Sequence, residues 1–113
     1  MNWDKAVRIA QEIMACKTSD TDFIDLRDDF ITVAVRYSGL RVKWYIADSE
    51  KRREMDQERS AAHDALVSTY NAFVRYMGKI NPDMAQRENL PQDRKSIGDF
   101  ACYLCAWIGI LAR

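Results

Sequence analysis

Phe23, Leu26, Phe30, Val33, Tyr37, Leu40, Trp44 and Ala47 recur in alternating steps of three and four. Such a series keeps large apolar side chains on one side of a helix through about seven turns. A rod with one long apolar side has to bury it against other elements, and further helices are the natural partners. Ser19, with Asp22 three residues on, resembles a capping box with Asp in place of Glu, so the helix is expected to begin at Ser19 or Asp20. Asp20, Asp22 and Asp25 crowd its first turns, where the helix dipole favours negative charge. Its end is expected between Asp48-Ser49 and Met55-Asp56, because the apolar phase lapses after Ala47 and resumes near Met55.

Part of this stretch carries a competing pattern. ITVAVRY and LRVKWYI flank Ser38-Gly39, alternate large with small or polar residues, and are rich in Val and Ile, as in a β-hairpin. The helical period accounts for residues 23–47 with one rule, whereas the hairpin accounts only for 31–46. A lone hairpin also needs further strands to be stable, and the sequence offers none. A helix is therefore expected. Gly39 then costs it about 1 kcal/mol relative to Ala and is a candidate for a close helix crossing.

The next stretch changes character midway. Residues 48–59 are nearly all charged, and Arg52–Asp56, Glu50–Arg53 and Asp56–Arg59 have helical spacing, each pair worth only about 0.2–0.5 kcal/mol. A solvated helix is expected there. From Ala62 onward, Ala62, Leu66, Thr69, Phe73 and Tyr76 form one stripe and His63, Val67, Tyr70, Val74 and Met77 another, together a broad core-packing face. Gly78 is the expected stop, since glycine readily takes the left-handed conformation after a last turn.

Three shorter elements complete the chain. A first helix is expected over 2–16, capped by Asn2, with Ala6, Ile9 or Ala10, Ile13 and Met14 at helical spacing and Trp3 as an anchor. Residues 79–95 form the connection, in which Asn81-Pro82-Asp83 starts a short helix and Leu90-Pro91 ends it. A connection of this length in so short a chain points to function or motion. A last helix is expected from Ser96, boxed with Asp99, to Ala112. Ile97, Phe100 or Ala101, Leu104, Ile108 and Leu111 face inward. The uncharged run from Phe100 to Ala112 is too short for the roughly 20 residues of a membrane span. Because it is apolar all round, it is expected to be shared with a second subunit, with Tyr103, Trp107 and Gly109 as contact candidates.

The fold class expected is all-α: one domain over 1–113, a compact bundle of about four main helices plus a short helix in the 79–95 connection. A chain of 113 residues can bury a core without metal or disulfide staples. Its Lys+Arg and Asp+Glu totals are both 17, so no net basic field argues for duplex nucleic acid. The first residues, MNWDKAVRIAQEIM, are amphipathic and carry acids, unlike a signal or transit peptide. With three cysteines and no secretion signal, a reduced, cytoplasmic setting is the simplest expectation.

Candidate chemistry is sparse. His63-Asp64 echoes the His-Asp pair of metal phosphohydrolases, but those need more His ligands, and this chain has one His. Cys102 and Cys105 have C-x-x-C spacing mid-helix among Tyr, Leu and Trp, the setting of buried thiols. Asp20, Asp22, Asp25, Asp28 and Asp29 fail the calcium-loop pattern, and capping and solvation account for them. No Gly-rich phosphate loop, nucleophile elbow or Ser/His/Asp arrangement occurs. The expectation is a protein without catalytic activity, metal or cofactor. The sharpest binding feature is cationic. Arg52, Arg59 and His63 fall within roughly 40° of one helical line. Arg53 and Lys51 flank them, Tyr70 follows on the same side, and Arg94-Lys95 precede the last helix. Arg suits bidentate phosphate recognition and aromatic rings stack on bases, so this cluster is the candidate site for an anionic, nucleotide-like ligand, assembled if subunits bring such faces together.

RREMDQERSAAHDAL, NAFVRYM and RKSIGDFACYL together resemble small, uncharacterised all-helical proteins of bacteria and their phages, over about residues 50–105. The resemblance implies a stand-alone inhibitor or sequestering protein that counters or regulates a host system, immune systems included. It marks His63, Asn71, Arg75 and Asp99, to which no role transfers. The leading expectation is thus an oligomeric, cytoplasmic helical protein that inhibits a host protein by binding it.

Overall fold

The computed structural model describes residues 1–112. Its helices are α1 (Trp3–Ala15), α2 (Thr21–Ile46), α3 (Ser49–Ile80), α4 (Pro82–Arg87) and α5 (Arg94–Leu111), and no strand occurs among the described residues. The all-α architecture expected from the apolar spacing is present, and residues 31–46 are helical throughout.

Caps set the boundaries. The Asn2 side chain accepts from the Lys5 amide at 2.9 Å. Asp20, rather than Ser19, caps α2 by accepting from Phe23 at 3.1 Å, so the Ser19–Asp22 box does not form. The helix ends at Ile46, just ahead of the range expected, and Asp48 caps α3 through the Lys51 amide at 2.8 Å. Ala47 ends α2 with its amide on the Trp44 carbonyl, and Asp48 at once caps α3, so a two-residue link turns the chain back on itself. Gly78 is no stop: α3 continues to Ile80, and no glycine has a positive φ among the described residues. The stop is Asn81-Pro82. Asn81 closes α3 through its amide to the Met77 carbonyl and caps α4 through the Met84 amide. That short helix ends at Arg87, ahead of Leu90-Pro91. Asp93, not Ser96, caps α5, which therefore starts at Arg94.

α2 and α3 form an antiparallel hairpin. Rings pair along it from Phe23–Phe73 (5.4 Å between centroids) through Phe30–Tyr70 (5.6 Å) to Tyr37–His63 (4.8 Å). α5 crosses the hairpin: Phe100 stacks on Phe30 at 6.2 Å, and Gly98 lies against Tyr37. α1 covers the other side of α5, burying Ala6, Ile9, Ala10 and Ile13 and setting Trp3 edge-on to Tyr103 at 5.9 Å. Each large core ring contributes about 1.5–3 kcal/mol from burial, and each edge or stacked pair about 0.5–1.5 kcal/mol more. Within α2 the buried set is Phe23, Phe30, Ala34, Tyr37 and Leu40, while Leu26, Val33 and Trp44 of the expected series are half-buried. Within α3 the buried seam is Ala62, Leu66, Tyr70, Phe73 and Met77, which draws on both expected stripes. Leu111, expected to face inward, is exposed because α5 has passed its neighbours by then.

The end of the hairpin is thinly covered. From Arg41 to Ala61, Met55 is the one buried residue. No helix is long and apolar enough to cross a membrane among the described residues.

Candidate functional site

The cationic cluster is built around Trp44 at the end of the hairpin. Arg52 and Arg59 both lie over its indole ring, at 4.3 and 4.4 Å from guanidinium carbon to ring centroid. Arg52 Nε donates to the Trp44 carbonyl at 2.9 Å and its Nη2 to the Tyr45 carbonyl at 3.0 Å. Those carbonyls lie in the last turn of α2, where the Ala47 amide also reaches Trp44 at 3.3 Å, so Arg52 helps to close that helix. The intrahelical pairs expected of Arg52 and Arg59 are replaced by this clasp across the turn. The Nε of Arg59 and the indole Nε1 of Trp44 are buried donors without an acceptor among the described residues.

The remaining members of the expected cluster divide. His63 Nε2 lies 3.0 Å from the Arg94 carbonyl, so that nitrogen carries the proton, and the ring packs on Tyr37. The Arg94 side chain bonds Asp64 at 2.8 Å. Arg53 is exposed and Arg59 half-buried. Tyr70 does not belong to the cluster. It is buried among Phe30 and Phe100, and its hydroxyl donates to the Pro91 carbonyl at 2.6 Å. Burial pushes its pKa upward, and no face of its ring is free to stack on a base.

A second feature lies on the outer side of the bundle. A groove of about 560 Å³ runs between α2 and α5, lined by Val42 and Tyr45 on one wall and Cys102, Tyr103 and Ala106 on the other. Arg41 bonds Asp99 across its floor at 2.7 Å. Burial opposes the charge on Arg41, but bonds to Asp99 and Tyr45 outweigh it and raise its pKa. The wall continues into open surface. Val35, Val42 and Tyr45 are 57–58% exposed and Ile46 is 81% exposed. Ala106, Gly109 and Ile110 extend the other wall along α5. Of the residues expected at a subunit contact, Tyr103 and Gly109 thus border this face. Trp107 is half-buried on another side of α5, away from the groove lining. A smaller groove at the hairpin end, about 420 Å³, is lined by Leu40, Lys43, Ile46, Lys51, Met55 and Glu58.

Cys105 sits badly for redox or nucleophilic chemistry. Burial pushes Cys105 up to about 11, opposite to the direction a reactive thiolate needs. Among the described residues no three His, Cys, Asp or Glu side chains gather where they could hold a metal ion.

Sequence reasoning missed the outer face because it weighed each apolar residue of α2 against one inward series. The signal was present. Ile31, Val35, Gly39, Val42 and Ile46 repeat on a second line of the same helix. Compared with protein families, with curated proteins and with solved structures, the chain finds no match.

Proposed function

We propose that this is a non-enzymatic binding protein whose working surface is the apolar side of α2 and α5 together with the free end of the hairpin. The observation that carries this is the exposure of Val35, Val42, Tyr45 and Ile46 beside an apolar groove. A contiguous exposed apolar patch of this kind marks a protein-binding surface. The partner implied by the resemblance is a host protein that is bound and thereby inhibited or regulated, a counter-defence role included, in the cytoplasm. Affinity capture from host cells tests it, with Tyr45→Asp as the control. Wild type should retain one host protein that Tyr45→Asp loses. Retention by both alike, or by neither, would contradict the reading.

A second reading is favoured by one observation: the unpaired Arg59 and Trp44 nitrogens beside Arg52. Two buried donors lacking an acceptor would be satisfied by an anionic group, and sequestration of a nucleotide-like ligand would use Arg52, Arg53, Arg59 and His63. A thermal-shift screen with mono- and cyclic nucleotides separates the two. A ligand at 100 times its Kd adds about 2.7 kcal/mol, a shift of many degrees, and only under this second reading. If Arg59→Ala and His63→Ala leave such a shift intact, the ligand lies elsewhere.

A further inference from the structure

The outer face of α2 carries an order of charge as well as an apolar line. Asp25, Asp28 and Asp29 are exposed on its N-terminal half, Arg36 and Lys43 on its C-terminal half. Between them Val35, Gly39 and Val42 fall within about 60° of one another at about 100° per residue. Gly39 is exposed, and a Cβ built there meets nothing within 4 Å. Nothing within one copy calls for glycine at a position where it weakens the helix relative to alanine. A second helix axis passing close to Gly39 would use the missing side chain.

We infer that the outer face of α2, with the groove beside α5, seats a second copy of this chain, the two α2 helices crossing antiparallel near Val35, one turn from Gly39. An antiparallel crossing lays the acidic half of each helix against the basic half of the other, whereas a parallel one sets like charges together. Two-fold symmetry makes every such contact twice. The two charged groups lining the groove, Arg41 and Asp99, already pair with each other, so closing the face buries no unpaired cation there. A host protein that takes this same face displaces the second copy. This inference rests on the reading of the outer face as a protein interface and names its occupant.

Sedimentation velocity over a wide concentration range tests it, with circular dichroism to check folding. Wild type should reach twice the protomer mass, or an even multiple of it. Arg36→Glu/Lys43→Glu makes the outer face acidic throughout, and Asp25→Lys/Asp28→Lys/Asp29→Lys makes it basic throughout. All five positions are exposed. Each variant alone should stay single where wild type pairs, and an equimolar mixture of the two should recover the paired mass. Wild type at protomer mass throughout would overturn the inference, as would an assembly that neither variant weakens. If wild type stays single yet still captures a host protein through Tyr45, self-pairing alone is wrong and the interface reading stands.

Discussion

Trp44 shows how a residue can belong to the core series and still do its work at the margin of the fold. It continues the inward line of α2, but where α2 ends there is no third helix to receive it. Arg52 and Arg59 take that place, supplying cation–π contacts worth about 0.5–2 kcal/mol each and closing the helix end. Trp44→Leu should therefore lower stability by about 2 kcal/mol in urea titrations. Arg53→Ala, which removes an exposed charge, should change it by less than about 0.5 kcal/mol. The glycines differ in the same measurable way. A Cβ at Gly98 would stand 2.8 Å from the Tyr37 hydroxyl, so Gly98→Ala should destabilise by about 1–3 kcal/mol. At Gly39 the space is open, and Gly39→Ala should stabilise the dilute, single chain by about 0.5–1 kcal/mol. Opposite signs at the two positions are the outcome to look for. The same sign at both would contradict this account of the packing.

At the scale of elements, the 79–95 connection is held down by polar contacts as well as by Met84. Glu88, only 5% exposed, takes a two-pronged bond from Arg8 at 3.0 and 3.1 Å. Arg87 pairs with Glu12, and Tyr70 ties Pro91 to α3. The hydrogen bond from Arg8 holds the Glu88 carboxyl below its ordinary value of 4.5 even though burial pushes the other way. Asp20 is lowered likewise, first by the Tyr76 hydroxyl at 2.7 Å and then by the Phe23 amide. Both groups are therefore depressed in the folded chain. Between the folded and unfolded values the unfolded chain binds more protons, so their contribution is complete above the unfolded value and is lost as pH falls through the folded one. The thermal midpoint should fall as pH drops below the ordinary carboxylate range near 4. Glu88→Gln should lower stability at neutral pH and flatten that acid dependence. An unchanged acid slope in the variant would show that Glu88 does not carry it.

For the whole molecule, the apolar spacing told most of the architecture in advance. The Phe23–Trp44 line, the Asn2 cap and the Asn81-Pro82 start of α4 are local signals, and local rules read them. The boundaries that shifted did so where two neighbouring residues could each cap a helix, as with Ser19 and Asp20 or Asp93 and Ser96. Gly78 permits a stop without enforcing one, and the chain uses Asn81-Pro82 instead. The hairpin pattern over 31–46 has a physical origin: α2 is apolar on two sides, and two opposed stripes read in sequence look like alternation. The cationic face of α3 was legible, but its counterpart, Trp44, lies across the turn in the series assigned to the core. Arg8–Glu88 and Arg41–Asp99, joined over 80 and 58 residues, leave no local trace at all.

The central claim is that α2 has two working faces, one buried within the chain and one kept for another protein surface, a second copy in the free protein. Hydroxyl-radical footprinting of Val42 and Tyr45 at rising protein concentration tests this directly, because both side chains are more than half exposed in the single chain. Their oxidation should fall as concentration rises, while that of Met14, exposed on α1, stays constant. Equal oxidation of all three at every concentration would contradict the claim.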